Sequence, residues 1–302
     1  MTTAAVVGYG SIGRRHARLL RQLGCEVAVV SRRAVEHATS FRTISEALRR
    51  FHPEYVVVAN ETSAHAPAIG ELLAGGFSGR LLVEKPLGAL RAAADAFRVA
   101  AVGYNLRFHP VLAALAEALA GERLITMQIY CGQYLPDWRP ESDYRRSYSA
   151  DPARGGGVLR DLSHELDYLL WLGAAWRRVA ALGVRSGALE IAADDAWALL
   201  VETERCAAAT VQVNYFDRPG RRQVIVNTAR HTYFADLGRA VLARDGEETR
   251  FAVDRDEMYL AQHRAVLAGE GSRLCSFAQG EQVMRLIAAA ERAAAEGGWV
   301  GR

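Results

Sequence analysis

The stretch Gly8-Tyr9-Gly10-Ser11-Ile12-Gly13 constrains the fold of this chain more than any other. It fits G-x-G-x-x-G, follows an apolar run at residues 4–7 and opens a segment, 12–23, with helical spacing of its apolar residues. The pattern alone is weak, because glycine-rich sequences produce it by chance; the strand–turn–helix setting gives it weight. There the first glycine allows a tight turn, the second lets the backbone approach a pyrophosphate, and the third permits close helix–strand contact. The phosphates then lie at a helix N-terminus, where unpaired N–H groups favour an anion. Gly8, Gly10, Ser11, Ile12 and Gly13 are therefore candidate cofactor-binding residues.

The pattern around the motif extends this reading. Apolar runs at 4–7, 27–30, 55–59 and 81–83 alternate with helix-like segments at 12–23, 44–51 and 64–73. A further short helix is expected at 89–97 and a fifth strand at 99–102. Strands apolar on both faces, separated by helices, predict a parallel sheet covered on both sides. Beyond Gly103 the pattern changes. A helix at 111–119 precedes a strand at 124–132, a polar aromatic loop at 133–152 and a helix at 158–172. Strands at 197–202, 208–215 and 223–227 then alternate as an antiparallel sheet with one exposed face does. Arg218-Pro219-Gly220-Arg221 predicts a hairpin turn, and helices at 257–267 and 279–296 close the chain. The predicted fold class is α/β: a Rossmann dinucleotide-binding domain over residues 1–103, then an α/β domain over 104–302.

Bulk properties exclude several classes. The net charge of +3 comes with basic residues scattered in ones and twos, which does not describe a nucleic-acid arm. Cys25, Cys131, Cys206 and Cys275 are far apart and without C-x-x-C spacing, so reduced thiols are expected and no metal site. The glycine motif begins too early to leave room for a signal peptide, and no apolar stretch has the length of a membrane helix. The expectation is a cytoplasmic protein without nucleic-acid or membrane partners.

Two further features concern chemistry. An NAD site normally carries Asp or Glu after the second strand to accept from the ribose 2′-hydroxyl. Here that place holds Ser31-Arg32-Arg33, a hydroxyl and two cations suited to a 2′-phosphate, which favours NADP while leaving NAD possible. Of the 37 basic residues, Lys85 is the one lysine. It follows the fourth apolar run within Glu84-Lys85-Pro86, at the carboxyl end of a strand, where open parallel sheets bind their ligands. A compact ammonium there does work that a guanidinium does not.

At this point the chain resembles the Gfo/Idh/MocA oxidoreductases. The resemblance rests on the glycine motif, Val58-Ala59-Asn60-Glu61-Thr62-Ser63-Ala64-His65, Glu84-Lys85-Pro86, Gly103-Tyr104-Asn105-Leu106-Arg107-Phe108-His109-Pro110 and Gly155-Gly156-Gly157-Val158-Leu159-Arg160-Asp161-Leu162-Ser163-His164, in the family's order. It implies a second domain with a large, mostly antiparallel open sheet that serves homodimer or homotetramer contacts. It also implies reversible oxidation of a secondary alcohol on a sugar, cyclitol or related polyol. Lys85 would contact the nicotinamide side and the reacting oxygen, His164 would transfer the proton, and Asp161 would lie near it. Asn60, Glu61, Thr62, His65 and Glu84 join the expected cofactor site. In this chain the aspartate stands three residues before the histidine, where the family commonly has four, and the segment between Pro86 and Gly103 is short.

The chemistry of these residue types agrees. Oxidising an alcohol requires removal of its proton, which histidine does near neutral pH, and an ammonium stabilises the developing negative oxygen. Asp161, His164 and Asp167 stand at i, i+3 spacing, so either carboxylate could orient the imidazole from one side of a helix. Tyr104, Asn105, Arg107 and Arg139, with His164 and Asp167, are the expected substrate contacts, and His109 is expected to face the same crevice. The function predicted is hydride transfer between a nicotinamide and a sugar, nucleotide-sugar or (amino)cyclitol alcohol or ketone. A non-catalytic NADP-binding regulator of the same fold and a reductase of a non-sugar carbonyl or imine are the alternatives.

Overall fold

Short runs of valine, alanine and leucine without polar alternation are stable where both faces of a strand are covered. In the computed structural model, which describes residues 1–88 and 94–302, such runs form the first sheet. In chain order come β1 (Thr3–Val7), α1 (Ser11–Gln22), β2 (Glu26–Val30), β3 (Ser40–Phe41), α2 (Ile44–Phe51), β4 (Tyr55–Val58), α3 (His65–Ala74), β5 (Arg80–Val83) and β6 (Val99–Val102). In space the strands stand as β6-β5-β4-β1-β2-β3, all parallel. Val6, Val29, Val57 and Leu82 at its centre are fully buried. The strand order reverses at β1, so a crevice opens between the carboxyl ends of β1 and β4. The two-residue β3 lies outside the sequence expectation because it is too short to show a period. Of the helix expected at 89–97, residues 89–93 lie outside the described residues, and Ala94–Ala96 forms one 3-10 turn.

The second unit begins with α4 (Pro110–Ala118) and β7 (Leu124–Gly132), continues through α5 (Val158–Asp161) and α6 (His164–Gly173), and then runs into strands. These are β8 (Trp176–Val184), β9 (Ala196–Thr203), β10 (Ala208–Asn214), β11 (Arg221–Thr228), β12 (Thr232–Asp236), β13 (Val241–Arg244) and β14 (Glu247–Arg250), ordered β14-β13-β12-β11-β7-β10-β9-β8. Among the described residues of this sheet, only β10 and β7 are parallel neighbours. The alternation is that of a half-covered sheet: Trp197, Leu199 and Val201 are buried while Leu200 between them is 51% exposed.

Two expectations for this unit are corrected. The single helix expected at 158–172 is two helices, because Leu162 (φ −96°, ψ 33°) leaves the helical region. The hairpin expected at Arg218–Arg221 is a crossover, since β7 lies between β10 and β11. A Pro-Gly turn reverses the chain but does not say which strand receives it. The crossover passes closely over the end of β7. A methyl group on Gly132 would lie 2.2 Å from the Asp217 carboxyl carbon, so a side chain there would displace Asp217 from its bonds to Tyr130 and Arg221.

After β14 the chain returns to the first unit with α7 (Arg255–Ala268) and β15 (Cys275–Ser276), which pairs antiparallel with β6. Then follow α8 (Phe277–Glu296) and β16 (Val300–Gly301), the latter pairing with β8. The first unit therefore comprises Met1–Phe108 and Asp254–Glu281, and the second His109–Val253 and Gln282–Arg302. A cut at residue 103 omits the returning segment, because periodicity identifies a helix without naming the sheet it covers.

His109 departs from its expected place at a ligand crevice. It is buried and caps α4, its Nδ1 accepting the Val111 N–H at 3.2 Å. Burial, and then the charge of Arg222, lower its pKa to about 4. A cap of this kind needs an unprotonated Nδ1. The unfolded chain takes up a proton near pH 6.5 that the folded chain refuses until about pH 4. The stabilisation is therefore full at neutral pH and is lost as the pH falls, by about 2 kcal/mol at pH 5. His109→Asn, which keeps a capping acceptor without the titration, should show a smaller drop in Tm between pH 7.5 and 5 than the parent protein.

Candidate active site

The glycine motif behaves in space as its residue types require. Gly8 takes a left-handed φ of +95°, and a methyl group there would meet the backbone of Asn60 at 2.7 Å. A methyl group on Gly13 would lie 2.1 Å from the Gly8 carbonyl oxygen. The turn, α1 and the exit of β4 thus meet backbone against backbone. Gly10 differs: a methyl group there would stand in open space, on the side where the helix N-terminus is free. It is the N-cap of α1 and supplies no side-chain cap, while Ser11 is exposed and Ile12 half-buried. This cradle of uncapped N–H groups beside a residue without a side chain fits a dinucleotide pyrophosphate.

The other expected cofactor residues divide into two sets. Asn60, Glu61 and Thr62 follow β4 at the crevice, with Asn60 Nδ2 donating to the Ala64 carbonyl at 3.3 Å. Asn60 Oδ1 is buried with no hydrogen-bond partner among the described residues. Ser31, Arg32 and Arg33 follow β2, and the Ser31 hydroxyl oxygen accepts the Arg33 N–H at 3.2 Å. Both arginine side chains are exposed, and neither makes an ion pair among the described residues.

Glu84 and His65, expected against the cofactor, are instead occupied by the protein. Glu84 Oε1 stands 2.9 Å from His16 Nε2, and Glu84 Oε2 accepts the Lys85 N–H at 3.3 Å. Burial opposes its charge, yet His16, then Lys85 and His65, hold its pKa below the usual carboxylate value. The ring nitrogens of His65 stand 3.0 Å from the Pro86 carbonyl oxygen and 3.3 Å from that of Asn60. Its pKa is lowered, chiefly by burial. His65 therefore ties the loop after β4 to the Glu84-Lys85-Pro86 segment. Lys85 itself is half-buried just beyond the carboxyl end of β5.

The expected substrate contacts Tyr104, Asn105 and Arg107 are interior residues of the first unit, 0%, 4% and 1% exposed. Arg107 Nη1 donates to Gln279 Oε1 at 2.9 Å and to the Leu274 carbonyl at 3.4 Å. It is thus spent on the returning segment. The sequence shows that these residues follow a strand but not that a distant segment covers them.

In the second unit His164 opens α6 and is half-buried. Asp161 ends α5 and takes two phenol hydroxyls, Tyr148 at 2.5 Å and Tyr215 at 2.6 Å. The break at Leu162 puts Asp161 on a different helix from His164 and Asp167, so the expected shared helix face is lost. Asp167 is buried in α6, and Arg139 is exposed in the loop before α5.

Sequence reasoning missed the support beneath His164. Glu165, fully buried, receives Arg222 Nε at 2.8 Å and the Tyr168 hydroxyl at 3.1 Å. Cys131 packs into this group, where burial and then the Glu165 charge push its pKa up to about 12. A buried pair of this kind joins the first turn of α6 to β11. The one available signal was Glu165 beside the histidine, which by itself reads as an ordinary helix N-terminal acid. Among the described residues no group of three or more His, Cys, Asp or Glu is arranged to hold a metal, and no helix is long and apolar enough to cross a membrane.

Comparison with known proteins supplies the context. Residues 2–109 match the family model described as "Oxidoreductase family, NAD-binding Rossmann fold", and residues 113–233 match the GFO/IDH/MocA C-terminal domain. No curated protein matches the chain by sequence. Among solved structures, GenD2 from gentamicin A biosynthesis in complex with NAD is 26% identical, with a TM-score of 0.82 over 100% of this chain and 96% of that one. Levoglucosan dehydrogenase with NADH and levoglucosan is 16% identical, with a TM-score of 0.86 over 99% of each chain. The WlbA dehydrogenase from Bordetella pertussis with NADH and UDP-GlcNAcA is 18% identical, with a TM-score of 0.82 over 100% of this chain and 97% of that one. With both family models matched in order along the chain, the protein belongs to the Gfo/Idh/MocA family and is an NAD-binding oxidoreductase.

Proposed function

We propose that the protein oxidises a secondary alcohol, or reduces the matching ketone, on a sugar, nucleotide sugar or aminocyclitol, and that it prefers NADP. The observation that carries the reading is Lys85, the one lysine of the chain, at the carboxyl end of β5 in a unit whose glycine cradle fits a dinucleotide. The nicotinamide supplies the hydride acceptor in one direction and the hydride donor in the other. The Lys85 ammonium donates a hydrogen bond to the substrate oxygen and stabilises negative charge as the proton leaves. The imidazole of His164 takes that proton in oxidation and returns it in reduction. The Glu165–Arg222 pair keeps the start of α6, and with it His164, in place. The substrate class draws support from the sugar-type ligands named in the neighbouring complexes.

The NADP preference is supported by Ser31, Arg32 and Arg33, which offer no carboxylate to a ribose 2′-hydroxyl and carry two exposed cations for a 2′-phosphate. The open face of the second sheet supports a homo-oligomer. It exposes Leu182 by 71%, Leu200 by 51% and Trp299 by 50%, an apolar patch larger than isolated surface residues make.

Absorbance at 340 nm with a panel of polyols, keto-sugars and nucleotide sugars tests the activity; silence with every compound in both directions would end this reading. With an active substrate in hand, Lys85→Ala should lower kcat by about 10²-fold or more while dinucleotide affinity stays within a few-fold. The double variant Arg32→Ala/Arg33→Ala should raise KM for NADP about tenfold or more and leave KM for NAD nearly unchanged. Light scattering should find an oligomer for the parent protein and a smaller species for Leu182→Glu/Leu200→Glu, with the far-UV spectrum unchanged.

A further inference from the structure

Four side chains of the first unit form a continuous chain that the roles above leave unused. The Tyr55 hydroxyl stands 2.8 Å from His263 Nδ1, His263 Nε2 stands 2.9 Å from His16 Nδ1, and His16 Nε2 stands 2.9 Å from Glu84 Oε1. Tyr55, His263 and His16 are each 0% exposed. They come from β4, α7 and α1, so three separate elements converge on the end of β5.

Counting donors gives the chain a direction. Burial pushes the Tyr55 phenol well above its usual pKa, so its hydrogen is retained. Among the described residues the only acceptor within reach of that hydrogen is His263 Nδ1. Burial, and then His16, lower the pKa of His263 well below the usual histidine value, so its ring is neutral. With Nδ1 accepting, its single hydrogen is on Nε2 and is donated to His16 Nδ1. His16 then carries its hydrogen on Nε2 and donates it to Glu84. The reverse direction would leave a fully buried hydroxyl hydrogen without an acceptor, which is costly. The far end of the chain is closed, because Tyr55 has no exposed surface. It does not exchange protons with solvent by that route, and its effect is static.

We propose that Glu84 is a positioning residue for Lys85, and that the one-way chain Tyr55→His263→His16 holds the Glu84 carboxylate in place beneath it. This inference rests on the reading of Lys85 as the residue that meets the substrate oxygen. Each carboxylate oxygen serves one donor, Oε1 taking the hydrogen of His16 and Oε2 the backbone N–H of Lys85. The room for it is built in, since a methyl group on Gly103 would lie 2.9 Å from Glu84 Oε1. An amide of the same size offers one acceptor and cannot serve both donors. The ionisable groups around the site are His16 and Arg15 on α1, His263, Tyr259 and Asp256 on α7, Tyr55 on β4, His65 on α3, and Lys85 itself.

Because Lys85 is the one lysine, growth on lysine labelled with ¹³C at Cε gives a single side-chain signal from the full-length protein. At pH 7.5 with saturating NADP⁺, the parent protein should show two resolved Hε protons at that carbon, the mark of a held side chain. Glu84→Gln should merge them into one averaged signal, Tyr55→Phe should narrow their separation, and Glu84→Asp should restore two. Tm serves as the control for folding in each variant. Two resolved protons in folded Glu84→Gln would overturn the positioning role. Imidazole ¹⁵N shifts test the direction: His16 and His263 should both be neutral with the hydrogen on Nε2, and a hydrogen on His263 Nδ1 would overturn it. These readouts need no substrate, so a failure here is separable from a failure of the proposed activity, which the Lys85→Ala kinetics alone decide.

Discussion

A carboxylate removed from water must find donors inside the protein, and Glu84 is the place where this chain meets that demand. Its partners are His16 on the helix that opens with the glycine motif and, through it, His263 on a helix more than two hundred residues further along the chain. Burying an ionised group is costly unless hydrogen bonds and opposite charge surround it. Here the compensation comes from His16 on α1, the neighbouring lysine and His65 on α3, while His263 on α7 holds His16. The same arrangement explains why α7 must return to the parallel sheet, and why a segment rich in helix formers carries a histidine with no exposure at all.

The second unit solves a similar problem around His164. Asp161 and Glu165 flank the histidine and are both buried, yet neither is left without donors: two tyrosines serve the first, and Arg222 with Tyr168 the second. The donors come from the loop before α5, from the end of β10 and from β11, so the break between α5 and α6 is pinned from both sides. Asp161 belongs to the tyrosine pair, and the imidazole keeps its place at the start of α6.

Much of the fold is legible in the sequence because apolar periodicity and glycine chemistry are local. β1, β2, β4, β5 and β6 follow from short apolar runs and β7 from a longer one, and Gly8 and Gly13 follow from the glycine motif between β1 and α1. The residues that sequence reasoning misplaces depend on distant partners. Arg107 has the position of a ligand contact because it follows a strand, but Gln279 and the Leu274 carbonyl claim it. His109 has the same position, but it caps the helix that Pro110 begins. The turn at Arg218–Arg221 is a reversal, as its residues imply, but not a hairpin, because β7 already holds the place beside β10. In the site, Lys85 and the glycine cradle are visible from residue type and position, whereas the Tyr55–His263–His16 chain spans three elements and leaves no pattern in the sequence.

The return of residues 254–281 to the first unit bears on how the protein is made. A ribosome releases the parallel sheet early, but His16 and Arg107 then wait for His263 and Gln279. At roughly 5–20 residues per second, that interval is on the order of ten seconds or more. During it His16 lacks His263, Arg107 lacks Gln279 and the Leu274 carbonyl, and the edge of β6 lacks β15. The cofactor-binding half is therefore the first to be synthesised and among the last to be completed, a reversal of the order in which its residues leave the ribosome.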